Sequence, residues 1–527
     1  MTQGGIIDVD LDSHEIPRTL VELADLGGQH LLRVWRHGLP VASGWPGSVR
    51  FRGFPRVIAA AVTERAIAAA LPEGSKRPAT VHEFVERALT RGPDPGGSRL
   101  PALTIAVCTR DRPGDLEQCL VSLGQLSYTG PREVLVIDNA PTTTETEELC
   151  ARLGGCVRYV REDRPGLDWA RNRAVSEAKG SVIAFTDDDC VVDPHWGESL
   201  VLPFAADATV QVVTGLVTPL ELDTEAQQLF EKLGGFARGY RRRWIRHAAA
   251  TDSWMAMRFG RTSQFGTGAN MAFRTETLRR AGGFDPALDT GTPTLGAGDL
   301  EMFFRTLKSG GTLVYEPRAV VHHRHRRTLE ELEEQMRSWG TGMTSYIIRS
   351  ARIWKNEIPG FVVLYLWLMQ HWLSGVALAF LGMLSVPRRL VTAEAWAGLT
   401  SFGVYGRSRK IAVEIAASSR IRLIDDQRPE VRVSRRPRQT VVRRIRLDEP
   451  VAAIDVSGET ATLHLIGMWG SATICSASVD VQGQSIPALQ VADVMAAAMV
   501  KRDDVLAIGK AALDLRLVRV LEAPTQI

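Results

Sequence analysis

The chain has 527 residues, which is too long for one compact core and predicts about two to four folding units. Its apolar content of 45% and charged content of 23% exclude wholesale disorder, and 63 basic against 60 acidic residues leave a net charge of +3 that identifies no class of partner. Six cysteines without a CxxC pair exclude a disulfide scaffold and indicate reduced thiols in a cytoplasm.

Residues 1–100 are predicted to form a small α+β module followed by a linker. The first twenty residues carry acids where a signal peptide needs a basic region, so secretion by that route is not expected. The stretch HLLRVWRHGLPVAS alternates like a strand pair around a turn, and PRVIAAAVTERAIAAAL follows with a helical pattern. RGPDPGGSRLP has the glycine and proline content of a linker.

Residues 101–352 alternate apolar strands with amphipathic helices. The strands LTIAVCT, EVLVIDN, VRYVRE and SVIAFTDDD each end on polar residues. This alternation predicts an α/β domain with a mostly parallel sheet flanked by helices, in which ligands bind at the carboxyl ends of the strands. The rule brings these residues to one crevice: Thr109, Arg110, Asp111, Arg112, Asp138, Asn139, Asp187, Asp188 and Asp189.

The residues of this crevice suit a diphosphate that carries a metal ion. No GxGxxG follows the first of these strands and no GxxxxGK[ST] occurs, so other phosphate cradles are disfavoured. Guanidinium groups grip phosphate oxygens, and the loop ends supply several: Arg110, Arg112, Arg164, Arg171 and Arg173. The aspartate triplet 187–189 offers carboxylates to Mg²⁺ or Mn²⁺, with a solvated turn as the alternative. Alternate residues at a strand end point the same way, so Asp187 and Asp189 are predicted to face the crevice.

Four separated motifs in this region resemble those of the inverting, nucleotide-sugar-dependent glycosyltransferases of family 2, which have the GT-A fold. They are TIAVCTRDRP, VLVIDNAPTTT, RPGLDWARNRAVSEAKGSVIAFTDDDC and GTGANMAFRTETLRRAGGFDPAL, and the resemblance extends from about Leu103 to Ser345. It implies transfer of a sugar from a nucleoside-diphosphate sugar, foremost a UDP-sugar, to an acceptor hydroxyl with inversion. Mn²⁺ or Mg²⁺ would be the cofactor, and synthesis of a cell-envelope polysaccharide the setting.

The resemblance also implies roles for individual residues. Asp299 is the expected general base, although Gly298 stands where the family more often has Glu, and an aspartate at a helix start is also a routine cap. The expected metal ligands are Asp187, Asp189, as the D-x-D motif, and His323, with His325 second. The expected donor-binding residues are Thr109, Arg110, Asp111, Arg112, Asp138, Asn139, Gly166, Arg171, Asn172, Asp187 and Asp188. The expected acceptor-binding residues are Gly268, Asn270 and Glu301, the last also being the fallback base.

Residues 353–420 are predicted to be an apolar helical region associated with a membrane. Ile358 to Val386 contains no Asp, Glu, Lys or Arg and is long enough to cross a bilayer. Gln370 and His371 would each cost free energy in hydrocarbon, and basic residues flank both ends, so no orientation is indicated. The segment therefore spans, dips into or lies on a membrane, or forms a buried helical hairpin. We expect a protein at the cytoplasmic face of the cell membrane.

Residues 421–527 are predicted to form a β-rich module with a terminal helix. TICSASVDVQGQSIPALQ and the Ala-rich helix after it repeat the order of elements near the N-terminus, so the two ends are related units or alike by chance. The arginine-rich run VRVSRRPRQTVVRRIRL alternates like a strand and lacks aromatic residues. A solvated sheet face or contact with anionic lipid is therefore favoured over nucleic acid.

Three functions compete for this sequence. The first is single addition of a sugar to a glycan, lipid-linked or other hydroxyl acceptor, because Arg337 and Trp339 match the QxxRW motif of processive enzymes only weakly. The second is transfer to a polyprenyl phosphate, which the apolar region permits. The third is a catalytically inactive subunit that binds a nucleotide sugar or carbohydrate, which Gly298 and the flanking modules permit.

Overall fold

The computed structural model describes residues 5–12, 30–45, 54–72, 80–90, 100–155, 157–246, 255–384, 386–419, 439–456, 460–481 and 485–512. In chain order its strands are β1 (Ile6–Asp10), β2 (Leu31–Arg36), β3 (Leu39–Gly44), β4 (Leu103–Thr109), β5 (Arg132–Asn139), β6 (Val157–Glu162), β7 (Val182–Asp187), β8 (Cys190–Val192), β9 (Val210–Pro219), β10 (Arg243–Ile245), β11 (Asn270–Arg274), β12 (Thr312–His323), β13 (Gln439–Arg446), β14 (Ile454–Asp455), β15 (Thr460–Trp469), β16 (Ala472–Asp480) and β17 (Ser485–Ile486).

The α-helices are α1 (Phe54–Ala70), α2 (Val81–Thr90), α3 (Pro113–Gly124), α4 (Glu145–Leu153), α5 (Leu167–Glu177), α6 (Trp196–Ala206), α7 (Glu225–Lys232), α8 (Met255–Phe259), α9 (Thr275–Arg280), α10 (Gly298–Lys308), α11 (Leu329–Ile353), α12 (Ile358–Phe380), α13 (Arg388–Thr400), α14 (Val404–Ser418), α15 (Ala488–Met499) and α16 (Asp503–Ala512). Short 3₁₀ helices occupy Thr262–Phe265 and Lys355–Glu357.

The chain folds into two compact units. One contains Met1–Ser98, Gly239–Trp244 and Ser434–Ile527, and the other contains Arg99–Arg238 and Ile245–Val433. Both terminal modules of the predicted organisation thus fall in one unit, while the region 353–420 falls in the same unit as the α/β domain.

The smaller unit contains two three-stranded sheets of the same design. In one, β1 is parallel to β2, which forms a hairpin with β3, and in the other β13 is parallel to β15, which forms a hairpin with β16. A helix follows each hairpin, and Ile58 and Val62 of α1 share a buried core with Val491 and Met495 of α15. The arginine-rich run lies partly outside the described residues, which contain only its part from Gln439 onward.

The larger unit is built on one twisted sheet whose strand order is β12-β9-β11-β7-β4-β5-β6, with β8 on the other side of β12. β6, β5, β4 and β7 are parallel, as are β9 and β12, whereas β11 is antiparallel to both of its neighbours. The predicted α/β class is confirmed, but the sheet is mixed rather than mostly parallel. The alternation of strands and helices could not show that β11 enters between β7 and β9 in the opposite direction.

Apolar side chains cover the sheet of the larger unit and hold the helices to it. Phe185 of β7 packs edge-on against Phe284 at a centroid distance of 5.7 Å, and Phe273 of β11 stacks on Phe303 of α10 at 6.2 Å. Each ring is buried, and burial of such side chains contributes about 1.5–3 kcal/mol apiece. This core fixes the strands whose carboxyl ends carry the polar residues described next.

Candidate active site

Strand register brings the predicted polar residues to one edge of the sheet. Thr109 of β4 lies opposite Asp138 of β5, and Cys108 lies opposite Asp187 at the end of β7. The aspartate triplet follows directly, where the chain turns into β8. The crevice that the strand alternation predicted is therefore present in the fold.

A cleft of about 310 Å³ opens at this edge. The residues lining it are Cys108, Thr109, Arg110, Arg112, Asn139, Leu167, Asp187, Asp188, Asp189, Thr290, Gly291, His323 and Arg326. Three carboxylates and three guanidinium groups thus share one cavity, which is the charge arrangement expected for an anion bound together with a cation.

Asp189 and His323 form the candidate metal centre. β8 pairs antiparallel with β12, which sets His323 opposite Cys190 and leaves the His323 Nε2 3.4 Å from the Asp189 Oδ1. Two ligands of one ion at about 2.1 Å are separated by a distance of this order. Cys190 completes a group whose ligand atoms all lie within 4.8 Å of one another. Its thiol is buried, and burial raises the pKa of Cys190 well above the usual value, so it stays protonated and offers little to a hard cation.

The other two aspartates of the triplet have raised pKa values. Burial, aided by the Asp189 charge, raises the pKa of Asp187 to about 7 and that of Asp188 to about 6. Asp188 accepts a hydrogen bond of 2.7 Å from the Thr109 hydroxyl, and the Arg112 guanidinium lies 3.5 Å from both Asp188 and Asp189. Three acids held this close favour a bound cation, because a positive charge offsets their mutual repulsion.

Only some of the predicted arginines face the cleft. Arg110 and Arg112 do so with side chains about half exposed, at 49% and 45%. Arg164 pairs instead with Glu162 at 2.6 Å, and Arg173 with Glu177 at 3.0 Å. These last two guanidinium groups are held by neighbouring acids, so they stabilise their own loop and helix.

Arg171 is buried beneath the site in a network of carboxylates. Its Nη1 donates to Asp168 at 2.9 Å and to Asp289 at 2.6 Å, and its side chain is 4% exposed. Its charge acts on Asp187 and on Asp299 alike. The structure therefore places Arg171 as the ionic support of both groups, although it does not line the cleft.

The residues at the end of β5 divide between the cleft and its support. Asn139 lines the cleft and clamps the next loop, with its amide donating to the Arg164 carbonyl at 2.7 Å and its Oδ1 accepting from the Gly166 amide at 2.9 Å. Asp138 is fully buried and accepts from the Tyr159 hydroxyl at 3.0 Å, and burial raises its pKa. Asp111 accepts from the Thr142 amide at 2.9 Å, which lowers its pKa and ties the two loops together.

Asp299 lies at the start of α10, outside the lining of the cleft, and the Arg171 charge acts on it as it does on Asp187. Its Oδ2 accepts from the Gly268 amide at 2.6 Å, and its Oδ1 accepts from the Leu300 amide at 2.8 Å. Burial and the Asp289 charge raise the pKa of Asp299 to about 6. A carboxylate with that pKa accepts protons more readily than an exposed aspartate and is still ionised at neutral pH.

Gly298 leaves room for a second carboxylate from another helix. A Cβ at this position would lie 2.1 Å from the Oδ2 of Asp168, which is buried and has no hydrogen-bond partner at that oxygen among the described residues. Burial raises the pKa of Asp168 well above its usual value. A carboxylate from α5 thus occupies the space that a side chain at position 298 would need.

Replacing Gly298 by Ala is expected to lower stability by about 1–3 kcal/mol, because the new methyl group overpacks against a carboxylate that Arg171 holds in place. The measurement is the urea midpoint of the full chain. Gly114→Ala is the matched control, since a Cβ there meets nothing within 4 Å and lies in the first turn of α3. Equal midpoints for the two variants would contradict the packing described for Asp168.

Four predicted ligands serve the fold rather than the cleft. The Asn172 Nδ2 donates to the Phe284 carbonyl at 2.9 Å, and its Oδ1 accepts from the Phe284 amide at 2.7 Å. Asn270 is fully buried and bonds the Trp196 indole and two strand carbonyls, all at 2.9 Å. Glu301 is buried in ion pairs with Arg305 and Arg349. Gly268 contacts the base candidate only through its amide, so it positions Asp299.

A loop that the sequence did not predict as part of the site lines the cleft with Thr290 and Gly291 and packs against Gly166. Gly166 has φ of 128°, and a Cβ on Gly291 would lie 3.0 Å from its Cα, so the two backbones meet at close range. Asp289, Leu295 and Ala297 of the same loop all have positive φ, and such strain is frequent at functional sites. The glycines and threonines of DTGTPTLGAGD were the available signal. Arg326, also missed, lines the cleft from the end of β12.

Residues 104–264 match the family model described as glycosyl transferase family 2, which confirms the resemblance stated for the motifs. The chain is 27% identical over 244 residues to polypeptide N-acetylgalactosaminyltransferase 5 of Caenorhabditis elegans, which is 43% of this chain and 36% of that protein.

Two further similarities were found. The chain is 24% identical over 237 residues to the pre-mycofactocin glycosyltransferase of Mycobacterium tuberculosis, covering 45% of this chain and 46% of the relative. A solved mannosyltransferase from Pyrobaculum calidifontis in complex with GDP-Man and Mn²⁺ aligns with 69% of this chain and 87% of its own, at 19% identity and a TM-score of 0.35. The chain thus spans less than half the length of the two curated relatives.

Proposed function

We propose that the chain transfers a sugar from a nucleoside-diphosphate sugar to an acceptor hydroxyl, in a metal-dependent, inverting, single addition. The observation that carries the proposal is the cleft in which Asp189 and His323 stand 3.4 Å apart beside Arg110, Arg112 and Arg326. Carboxylate and imidazole suit Mn²⁺ or Mg²⁺, and the arginines suit the two phosphates of the donor. A UDP-sugar is the donor to test first.

The residues of this chain would divide the reaction between them. Asp189 and His323 would hold the cation, which supplies charge stabilisation for the departing diphosphate. Asp299 would accept the proton of the acceptor hydroxyl. The hydroxyl oxygen would bond to the anomeric carbon as the bond between that carbon and the diphosphate breaks. Attack from the face opposite the leaving group inverts that carbon. Arg110 and Arg326 would bind the phosphate groups of the nucleoside diphosphate when it leaves the sugar.

The alternative of an inactive subunit loses one of its two supports. It rested on Gly298 and on the flanking modules, and an Asp168 carboxylate lies 2.1 Å from where a side chain at 298 would begin. Transfer to a polyprenyl phosphate would need no base, whereas Asp299 has a pKa raised to about 6 and accepts two backbone hydrogen bonds that hold it in position. We therefore favour a hydroxyl acceptor.

A panel of donors tests the proposal. The full chain, Mn²⁺ and each of UDP-, GDP- and dTDP-sugars are incubated with and without candidate acceptors, and release of nucleoside diphosphate is measured. We expect release from one class of donor, abolished by EDTA and restored by Mn²⁺. Tight binding of a donor with no turnover or hydrolysis under any condition would refute transferase activity.

We propose further that the protein lies on the cytoplasmic face of a membrane through α12. This helix is long and apolar enough to cross a bilayer by length and composition, and 22% of its most apolar window is buried. Phe361 packs against Phe304 at 5.1 Å, and Trp372 donates to Glu394 at 3.1 Å, so one face is occupied along much of the helix. The opposite face exposes Val362, Leu366, Leu373 and Phe380. A helix held on one side by its own domain lies in an interface more readily than it spans.

Vesicle binding tests this placement. The full chain is expected to co-sediment with vesicles of phosphatidylcholine and phosphatidylglycerol, because Leu366 and Leu373 are each about half exposed. Replacing both by Glu should weaken binding by at least about tenfold, since each buried leucine contributes about 1.5–3 kcal/mol. Leu153→Glu, at an exposed leucine on α4, is the control. Retention of the wild type in the supernatant would refute membrane contact.

A further inference from the structure

A line of three side chains runs from the candidate metal centre into the protein. His323 Nδ1 lies 3.1 Å from His325 Nδ1, and His325 Nε2 lies 2.8 Å from Glu231 Oε1. The three side chains are 9%, 1% and 9% exposed, respectively, for His323, His325 and Glu231. The sequence predicted His325 as the second candidate ligand, but both of its ring nitrogens lie within hydrogen-bond distance of protein partners.

For a neutral His325, the hydrogen bonds along this line assign one proton to each imidazole. A carboxylate only accepts, so the Nε2 of His325 carries a proton and donates it to Glu231. In a neutral imidazole the other nitrogen is then an acceptor, so the proton between the two rings belongs to Nδ1 of His323. Nε2 of His323, which lies 3.4 Å from the Asp189 Oδ1, is then the unprotonated ring nitrogen. This is the form of histidine that binds a metal ion.

The surroundings hold the three groups in line. Phe230 and Phe236 pack edge-on against His325 at 4.7 and 5.8 Å, and Phe236 also contacts His323 at 5.3 Å. Gly235 has φ of 46°, and a Cβ there would lie 2.3 Å from the Oε1 of Glu231. The glycine thus makes room for the carboxylate, and the rings exclude water that could satisfy the histidines in another way.

We propose that Glu231 is a positioning residue for the metal centre, which acts through His325 to keep Nε2 of His323 available as a ligand. The proposal rests on the proposed metal site and adds a residue far from the sugar chemistry to it. Hydrogen-bonded partners of metal-binding histidines commonly change metal affinity by about 10–100-fold. Neither the motifs nor the spacing of the sequence pointed to Glu231.

Mn²⁺ titration of the full chain, followed by the EPR signal of the free ion, tests the proposal without donor or acceptor. Glu231→Gln is nearly isosteric and should weaken Mn²⁺ binding by about tenfold or more. His325→Phe keeps a ring among the aromatic residues and should weaken it similarly. The double variant should bind no more weakly than His325→Phe alone, because both changes cut one path. Glu225→Gln, an exposed acid on the same helix, should bind like wild type.

The measurements distinguish failure of the Glu231 role from failure of the metal site. Wild-type Mn²⁺ should show nitrogen coupling in electron spin echo spectra, from one imidazole, which a purely structural role of His323 would not produce. If that coupling is present but Glu231→Gln, folded by circular dichroism, binds Mn²⁺ as tightly as wild type, the role of Glu231 is refuted and the metal site stands. Additive losses in the double variant would also refute it. If wild type binds no Mn²⁺, the metal-dependent function fails as well.

Discussion

Replacing Asp189 by Asn is expected to abolish sugar transfer, with a loss of about three orders of magnitude or more in kcat, because a catalytic cation stabilises the leaving group by several kcal/mol. The asparagine keeps the shape of the side chain but removes the charge that faces His323 at 3.4 Å and Arg112 at 3.5 Å. Mn²⁺ affinity should fall together with the rate. The expected effect is thus chemical rather than structural.

Turnover and Mn²⁺ binding of the Asp189 variant are compared with those of Asp193→Asn. Asp193 follows β8, and its Oδ1 accepts a hydrogen bond from the His195 amide at 2.8 Å. It does not line the cleft. The control variant should retain both properties. A rate for Asp189→Asn within about tenfold of wild type, a difference of only about 1.4 kcal/mol, would contradict the assigned metal centre.

The second large effect is expected for Asp299→Asn. Loss of a general base commonly reduces the rate by about 10²–10⁴-fold, and the binding of Mn²⁺ and donor should be unchanged because the role assigned to Asp299 concerns only the acceptor's proton. If the residue were only a helix cap, the variant would lose thermal stability without losing rate. Measuring kcat and the unfolding temperature of one preparation separates the two roles.

The pH profile provides an independent check on Asp299. Its pKa is raised to about 6, so the carboxyl is protonated below that pH and cannot accept the acceptor's proton. The wild-type kcat/KM should therefore fall as the pH decreases through about 6 and level off above it. The residual activity of Asp299→Asn should lack this acidic limb. An identical limb in the variant would assign the titration to another group.

The strand ends were predictable because apolar runs of β-branched residues mark strands, and parallel strands end at one edge. Thr109, Asn139 and the aspartate triplet were placed in the cleft on this basis, and they line it. The residues that act on them from elsewhere were not predictable in the same way. His323 reaches Asp189 only because β8 pairs antiparallel with β12, a register that no local pattern encodes.

Polar residues near the motifs were the main source of misplacement. Asn270 has the residue type of a ligand, but the Trp196 indole and two carbonyls use its whole side chain. Glu301 follows Asp299 by two residues, yet it lies with Arg305 and Arg349 in the interior. The residue type shows that a group can bind something, and only packing shows whether that partner is a substrate or the protein itself.

Gly298 is a second case in which residue type alone does not predict what surrounds a position. From the sequence, a glycine at this place indicates a missing acid. In the fold, Asp168 of α5 reaches the same space and lies between Arg171 and the start of α10. Two residues far apart in the sequence thus share one space, and neither position alone predicts that packing.

The central claim is that the cleft binds a nucleoside diphosphate through a metal ion held by Asp189 and His323. Isothermal titration of the full chain with UDP and GDP, in Mn²⁺ and again in EDTA, tests it most directly. We expect one nucleotide to bind in Mn²⁺ and its affinity to fall by at least about a hundredfold in EDTA, equivalent to about 2.7 kcal/mol. Equal affinity in Mn²⁺ and EDTA, or no binding of either nucleotide to the folded chain, would contradict the claim.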